Sequence, residues 1–349
     1  MNATLAKTPW ARLSVMGVAL AAIVGVILLA FLWPAVTAEP KSIPLAMAGP
    51  DAQVTQFESG IAAQSPDLFA FSTVSDRDAA VQLIETRKVY GAIVLAPSPE
   101  ILVSSAANAA IAGMLGKFSP ELAANLTKAM AAQGQAPSTP ITVPVTDVVP
   151  LVSADPNGVI LSASTFPLVL GGLIGGVVIS LVVVGMWRRL TAILVLAVVG
   201  GFTIAGILQG WFGGLQGSYL VNVGVIALAL LAIGGTTVGL AALLGRGGLG
   251  LAAVVFVLFA NPISGATLPP EFIVRPWGAI GQWFPPGAAG NLLRNESYFP
   301  SADSLLPWLI LLGWAALAVL LIAVASRTGR STAGQPTPSA SHGGPATAL

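Results

Sequence analysis

Few residues in this chain could do covalent or acid–base chemistry, and their spacing argues against most of it. The stretch nearest to a catalytic motif is 113–119, GMLGKFS, where Gly116 and Lys117 stand as in a phosphate-cradling loop. That loop needs glycine at 111 and a hydroxyl directly after the lysine; Ile111 and Phe118 occupy those places, so the stretch reads as a helix end. The single histidine, His342, lies in a Gly/Pro/Ser-rich stretch, and a lone imidazole neither completes a metal site nor is oriented for proton transfer. There is no cysteine, which removes disulfides, thiolate ligands and thiol nucleophiles together. Asp147, Asp155 and Glu271 have no paired base or nucleophile motif beside them. No catalytic, cofactor or metal residue is therefore assigned, and the chain reads as a non-enzyme.

The elements around these residues explain the scarcity. Of 349 residues 55% are hydrophobic and only 8% charged, with a mean hydropathy of +0.85, where about 25% charged is usual for a soluble domain. This composition predicts a polytopic α-helical membrane protein. The net charge of +1 offers no basic field for nucleic acid.

Residues 13–33 are apolar for about 20 positions, enough to cross a bilayer core of roughly 30 Å, and Lys7 and Arg12 before them keep segment 1–12 in the cytoplasm. A retained anchor over 13–36 is expected. A signal peptide cut near Val36, Thr37 and Ala38 is the rival reading, and the run exceeds a typical signal core. Charges return over 37–160. Strands are predicted at 43–48, 68–72 and 90–95, with helices at 52–63 and at 76–87, the latter capped by Ser75. Two Ala-rich helices are predicted at 101–115 and 121–133, the second capped by Ser119, and an extended return at 139–152. Together they predict an extracytoplasmic α/β domain with a helical extension. Five further spans are predicted within 161–326, near 166–186, 190–208, 220–244, 249–260 and 305–325, making about six in all. The tail 327–349 reads as disordered and cytoplasmic.

Charge placement supports one orientation. Arg188, Arg189, Arg246, Arg327 and Arg330 fall on the side of Lys7 and Arg12, and every Asp and Glu falls on the other. The span interiors hold no ionisable side chain, which argues against a proton-driven antiporter. Gly171, Gly172, Gly175 and Gly176 recur at helix-packing spacing, either within one bundle or at a dimer seam.

Segment 261–304 differs from the rest. Pro262, Pro269, Pro270, Pro276, Pro285 and Pro286 forbid a continuous helix, and Trp277, Trp283 and neighbouring aromatic residues suit the lipid–water boundary. One or two short re-entrant or interfacial helices are expected, packed on the bundle; Asn261 and Arg294 belong to the same segment.

Four stretches carry a resemblance: 76–95 (DRDAAVQLIETRKVYGAIVL), 148–158 (VVPLVSADPNG), 167–176 and, most specifically, 261–299. Through them the chain resembles the permease subunits of type-2 ATP-binding-cassette exporters, in the branch related to the phage infection protein family and its actinobacterial permease-like relatives. The resemblance implies a multi-pass cell-membrane protein with both termini cytoplasmic. It also implies a separate ATP-binding subunit, a homodimer or heterodimer of permeases, and re-entrant helices at the outer leaflet. The inner loops are very short, so contact with an ATPase would fall to Trp10, Arg12, Trp187, Arg188, Arg189 and Arg246, whose other reading is topological anchoring. The expected function is export of an amphipathic or lipid-like substrate. The alternative is a membrane-anchored envelope or surface protein, transporting nothing, whose α/β domain binds a partner.

Overall fold

The computed structural model describes residues 9–96, 98–132 and 141–327. Lys7, His342, Arg330 and the expected tail beyond Arg327 lie outside the described residues.

The chain is mostly helical, with a small α/β unit between the first long helix, α1 (Trp10–Val36), and the rest. Strands β1 (Ile43–Ala48), β2 (Phe69–Val74), β3 (Gly91–Val94), β4 (Glu100–Val103) and β5 (Val145–Asp147) form one sheet in the order β2-β1-β3-β4-β5. All neighbours are parallel except β3 and β4. Period-two alternation assigns the faces. Ile43, Leu45 and Met47 pack under α2 (Asp51–Gln64), α4 (Ala109–Gly116) and α5 (Phe118–Ala132). Ala46 and Ala48 pack with Ala80 and Ile84 of α3 (Arg77–Glu85) on the opposite face. Burial on both faces is why β1 reads as a continuous apolar run.

Three expectations are corrected here. Residues 101–115 are not one helix: β4 pairs with β3, Ile93 opposite Ile101, and the helix begins only after Asn108, whose Oδ1 accepts the Ile111 N–H at 3.0 Å. Asp76, not Ser75, caps α3, its Oδ1 accepting the Ala79 N–H at 2.9 Å while Ser75 Oγ donates to Oδ2. Ser119 caps nothing; it lies inside α5 and its hydroxyl donates to the Val143 carbonyl at 2.6 Å. The helix end expected at Gly116 and Lys117 is where α4 stops.

Among the described residues five helices are long and apolar enough to cross a membrane: Trp10–Val36, Val159–Val182, Met186–Trp211, Tyr219–Leu244 and Leu305–Arg327. This is a helical membrane protein. The sixth expected span is Arg246–Ala260, eight α-helical and seven π-helical residues. At 1.5 Å per residue it reaches about 23 Å, short of a roughly 30 Å core, because Pro262 follows at once. Among the described residues there are thus five helices of spanning length and one short apolar helix, the one whose expected range, 249–260, was already short.

Helix α6 (Val159–Val182) starts on a carboxylate: Asp155, 6% exposed, accepts the N–H groups of Val159 and Ile160 at 2.8 Å each. Charge-assisted capping of this kind makes Asp155→Ala a loss of about 1–2 kcal/mol, to be read as a lowered detergent-phase melting temperature; an unchanged value would show that the cap contributes nothing. Further down α6 the small residues let backbones approach. A Cβ on Gly176 would lie 2.6 Å from the Gly234 carbonyl oxygen and 2.7 Å from Thr237 Cβ, and one on Gly172 would lie 3.0 Å from Ile233. Gly175 faces Leu196, whereas Gly171 is exposed with Leu230 no nearer than 3.9 Å. Three of the four glycines therefore serve packing within the bundle.

The contacts fix directions. Gly175 against Leu196 with Arg189 on the Ser180 carbonyl sets α7 (Met186–Ala205) antiparallel to α6, and Gly201 against Val223 with Gly200 against Leu230 sets it antiparallel to α8 (Tyr219–Leu230). Gly235 against Ala318 and Gly239 against Leu321 set α9 (Thr236–Leu244) parallel to α13 (Leu305–Arg327). Helix α1 touches the bundle near its C-terminal end, where Phe31 meets Phe166, ring centroids 5.7 Å apart, and where Pro34 is buried; residues 10–29 are exposed. Arg188, Arg189, Arg246 and Arg327 accordingly gather at one end of the bundle. The α/β unit sits at the other end.

Candidate functional site

The segment expected to be irregular folds back between bundle and α/β unit. It contains a 3-10 turn (Pro270–Phe272), α11 (Trp277–Gly281) and α12 (Pro285–Tyr298), the last opening with two prolines whose missing N–H groups cost nothing in a first turn. Where the segment crosses itself only glycine fits. A Cβ would stand 2.0 Å from the Pro270 carbonyl oxygen at Gly278 and 1.7 Å from that of Ile263 at Gly281. Gln282 Nε2 donates to the Ser264 carbonyl at 2.8 Å, closing the loop. Trp277 stacks edge-on against Phe259, and the exposed Trp283 accepts the Trp314 indole N–H on its carbonyl at 2.9 Å. Pro262 is half-buried; Pro269, Pro285 and Pro286 are buried. Asn261 Oδ1 is buried with no hydrogen-bond partner among the described residues.

The α/β unit reaches this segment through the turn after α3. That turn closes with the Arg87 and Lys88 N–H groups donating to Ile84 and Leu83, which forces Arg87 to φ +55°. Glycine or asparagine is the usual occupant of such a left-handed helix stop. Here an arginine bears the strain, and its side chain crosses to α12. Its Nη1 donates to Asn291 Oδ1 at 2.5 Å and to Asn295 Oδ1, while the guanidinium lies 5.4 Å from the Phe299 ring centroid. Three residues on, Tyr90 donates its hydroxyl to Glu271 Oε2 at 2.8 Å. The Glu39 N–H donates to the Phe272 carbonyl at 3.1 Å, and Ala106, Ala107, Tyr298 and Phe299 form an apolar seam beside these bonds.

Between roof and floor lies a cavity of about 700 Å³, within the range of small-molecule sites. Arg87, Lys88, Arg275 and Arg294 line it, against two carboxylates, Glu271 and Asp303. Both carboxylates are already engaged, Glu271 by Tyr90 and Asp303 by the Leu305 N–H at 2.9 Å. Burial, and after it the charge of Arg294, lowers the Arg87 guanidinium to about 10, so it remains cationic at neutral pH. Burial and the neighbouring Glu271 carboxylate raise the Tyr90 phenol, which stays a donor. The site is positive, half-enclosed and suited to holding an anion.

Of the candidate ATPase-contact residues, Trp187, Arg188 and Arg246 are exposed at the far end of the bundle, and Trp10 and Arg12 are exposed in the first turn of α1. Arg189 is not free: its Nε donates to the Val183 carbonyl and its Nη2 to that of Ser180, 2.8 Å each, sealing the end of α6. The other acids have structural partners too, Asp147 holding the Ser105 N–H and hydroxyl. Sequence reasoning named Arg294 and Pro270 but missed Arg87, Tyr90, Asn291 and Asn295; an arginine where ETRKVYG should stop a helix with glycine was the available signal. Comparison with family models, curated proteins and solved structures finds no match for the chain.

Proposed function

We propose that the chain is the membrane-spanning permease of an exporter, energised by a separate ATP-binding subunit and moving an amphipathic or lipid-like substrate. One observation carries this reading: the irregular segment encloses a cavity at the end of the bundle that bears the α/β unit, with charged groups from that segment and that unit on its walls and Leu161, Ile273 and Ala279 giving it an apolar side. A solute with one charged and one greasy end fits such a chamber better than a small ion does. The arginine cluster at the opposite end supports placing that end in the cytoplasm, with the α/β unit and the re-entrant segment outside the cell membrane. The exposed Trp187, Arg188 and Arg246 then face the compartment that holds ATP, and the resemblance supplies the dimeric arrangement.

Isolation in mild detergent tests it. An ATP-binding chain should co-purify, and its hydrolysis rate should fall severalfold when Trp187 and Arg188 are both replaced by alanine. Consistent absence of such a chain would favour the second reading, a membrane-anchored surface protein whose α/β unit binds a partner. The use of Arg189 as a helix seal favours that second reading, since it shrinks an already small docking surface.

A further inference from the structure

We propose that the cavity between the α/β unit and α12 is a binding site for a phosphate-bearing anion, held by Arg294 together with Arg87. As a substrate assignment this rests on the exporter reading; as a binding site it does not.

Arg294 carries the argument. It projects from α12 into the cavity wall, and among the described residues it donates no hydrogen bond and forms no ion pair. A guanidinium has five N–H donors in a fixed fork that matches two oxygens of a phosphate, and leaving such a group enclosed without an acceptor is costly. Neither cavity carboxylate pairs with it, and among the described lining residues four cations, Arg87, Lys88, Arg275 and Arg294, face only Glu271 and Asp303, which leaves an excess of positive charge. Arg87 adds to this. Among the described residues only its Nη1 reaches protein acceptors, and Nε and Nη2 keep their donors unused. An arginine held in a left-handed turn, where glycine costs less, indicates that the guanidinium and not the backbone sets the residue at that position. Lys88 and Arg275, both exposed, flank the cavity and add long-range attraction for an anion. Leu161 and Ile273 give it an apolar side, so a headgroup can enter with part of its chain attached.

The probes are dioctanoyl phosphatidic acid, dioctanoyl phosphatidylcholine and inorganic phosphate, titrated by thermophoresis into the full chain in an uncharged detergent. The anionic lipid should bind saturably, at least tenfold more tightly than the zwitterionic one. Arg294→Gln should weaken it at least tenfold, Arg294→Lys less, and Lys128→Gln on the far face of the α/β unit not at all. Inorganic phosphate that competes, and loses this ability in Arg294→Gln, makes the anion itself sufficient. Lipid binding that phosphate fails to displace makes the amphiphile the ligand. Either outcome supports the site. No saturable binding by lipid or phosphate, or binding that both Arg294 variants leave unchanged, overturns it. Since the chain is titrated alone, failure to find an ATPase partner would end the exporter reading without touching this result.

Discussion

Gly281→Val is expected to unfold the 261–298 segment and to lower stability by about 3 kcal/mol or more. The added Cβ would overlap the Ile263 carbonyl oxygen, which belongs to backbone and cannot rotate away as a side chain would. With Gly278 pressed against Pro270 and Gly287 against Gly281 itself, relief at one crossing worsens the next. Limited proteolysis in detergent should cut the variant between 264 and 282 while leaving α13 intact. Gly250→Val is the control, because nothing lies within 4 Å of a Cβ there. A Gly281 variant as protease-resistant as the control would show that the crossing is looser than described.

The second large effect is at Arg87. Arg87→Ala should cost about 2–3 kcal/mol of the docking between α/β unit and α12, because it strands Asn291 and Asn295 and removes the cation from the Phe299 face. Arg87→Gly loses the same side chain but relieves the left-handed backbone, and should recover about 1 kcal/mol. Hydrogen exchange at the amides of α12 separates the two contributions. If alanine and glycine variants exchange as slowly as the parent, the turn does not hold the unit to the membrane domain.

What the sequence made legible follows from periodicity. Long apolar runs place the five long spans to within a few residues, except that α6 starts seven residues before the expected 166, where Asp155 caps it. Strand β1 agrees at both ends because burial on two faces leaves an unbroken apolar run. Residues 101–115 failed because alanine content outweighed a four-residue strand whose identity depends on pairing with β3, a partner that no local window contains. The segment 261–304 was recognisable as irregular from proline alone, and short helices broken by turns occupy it. Its cavity was not recognisable, since Arg87 and Asn291 stand 204 residues apart and only the fold joins them. Propensity also says nothing of a left-handed arginine.

The seal on α6 has a mechanical side. By clasping the last carbonyls of one helix from the first turn of the next, Arg189 removes the play from that corner. A force applied at Trp187 or Arg188 would run up two rods at once, in place of being lost in a slack joint.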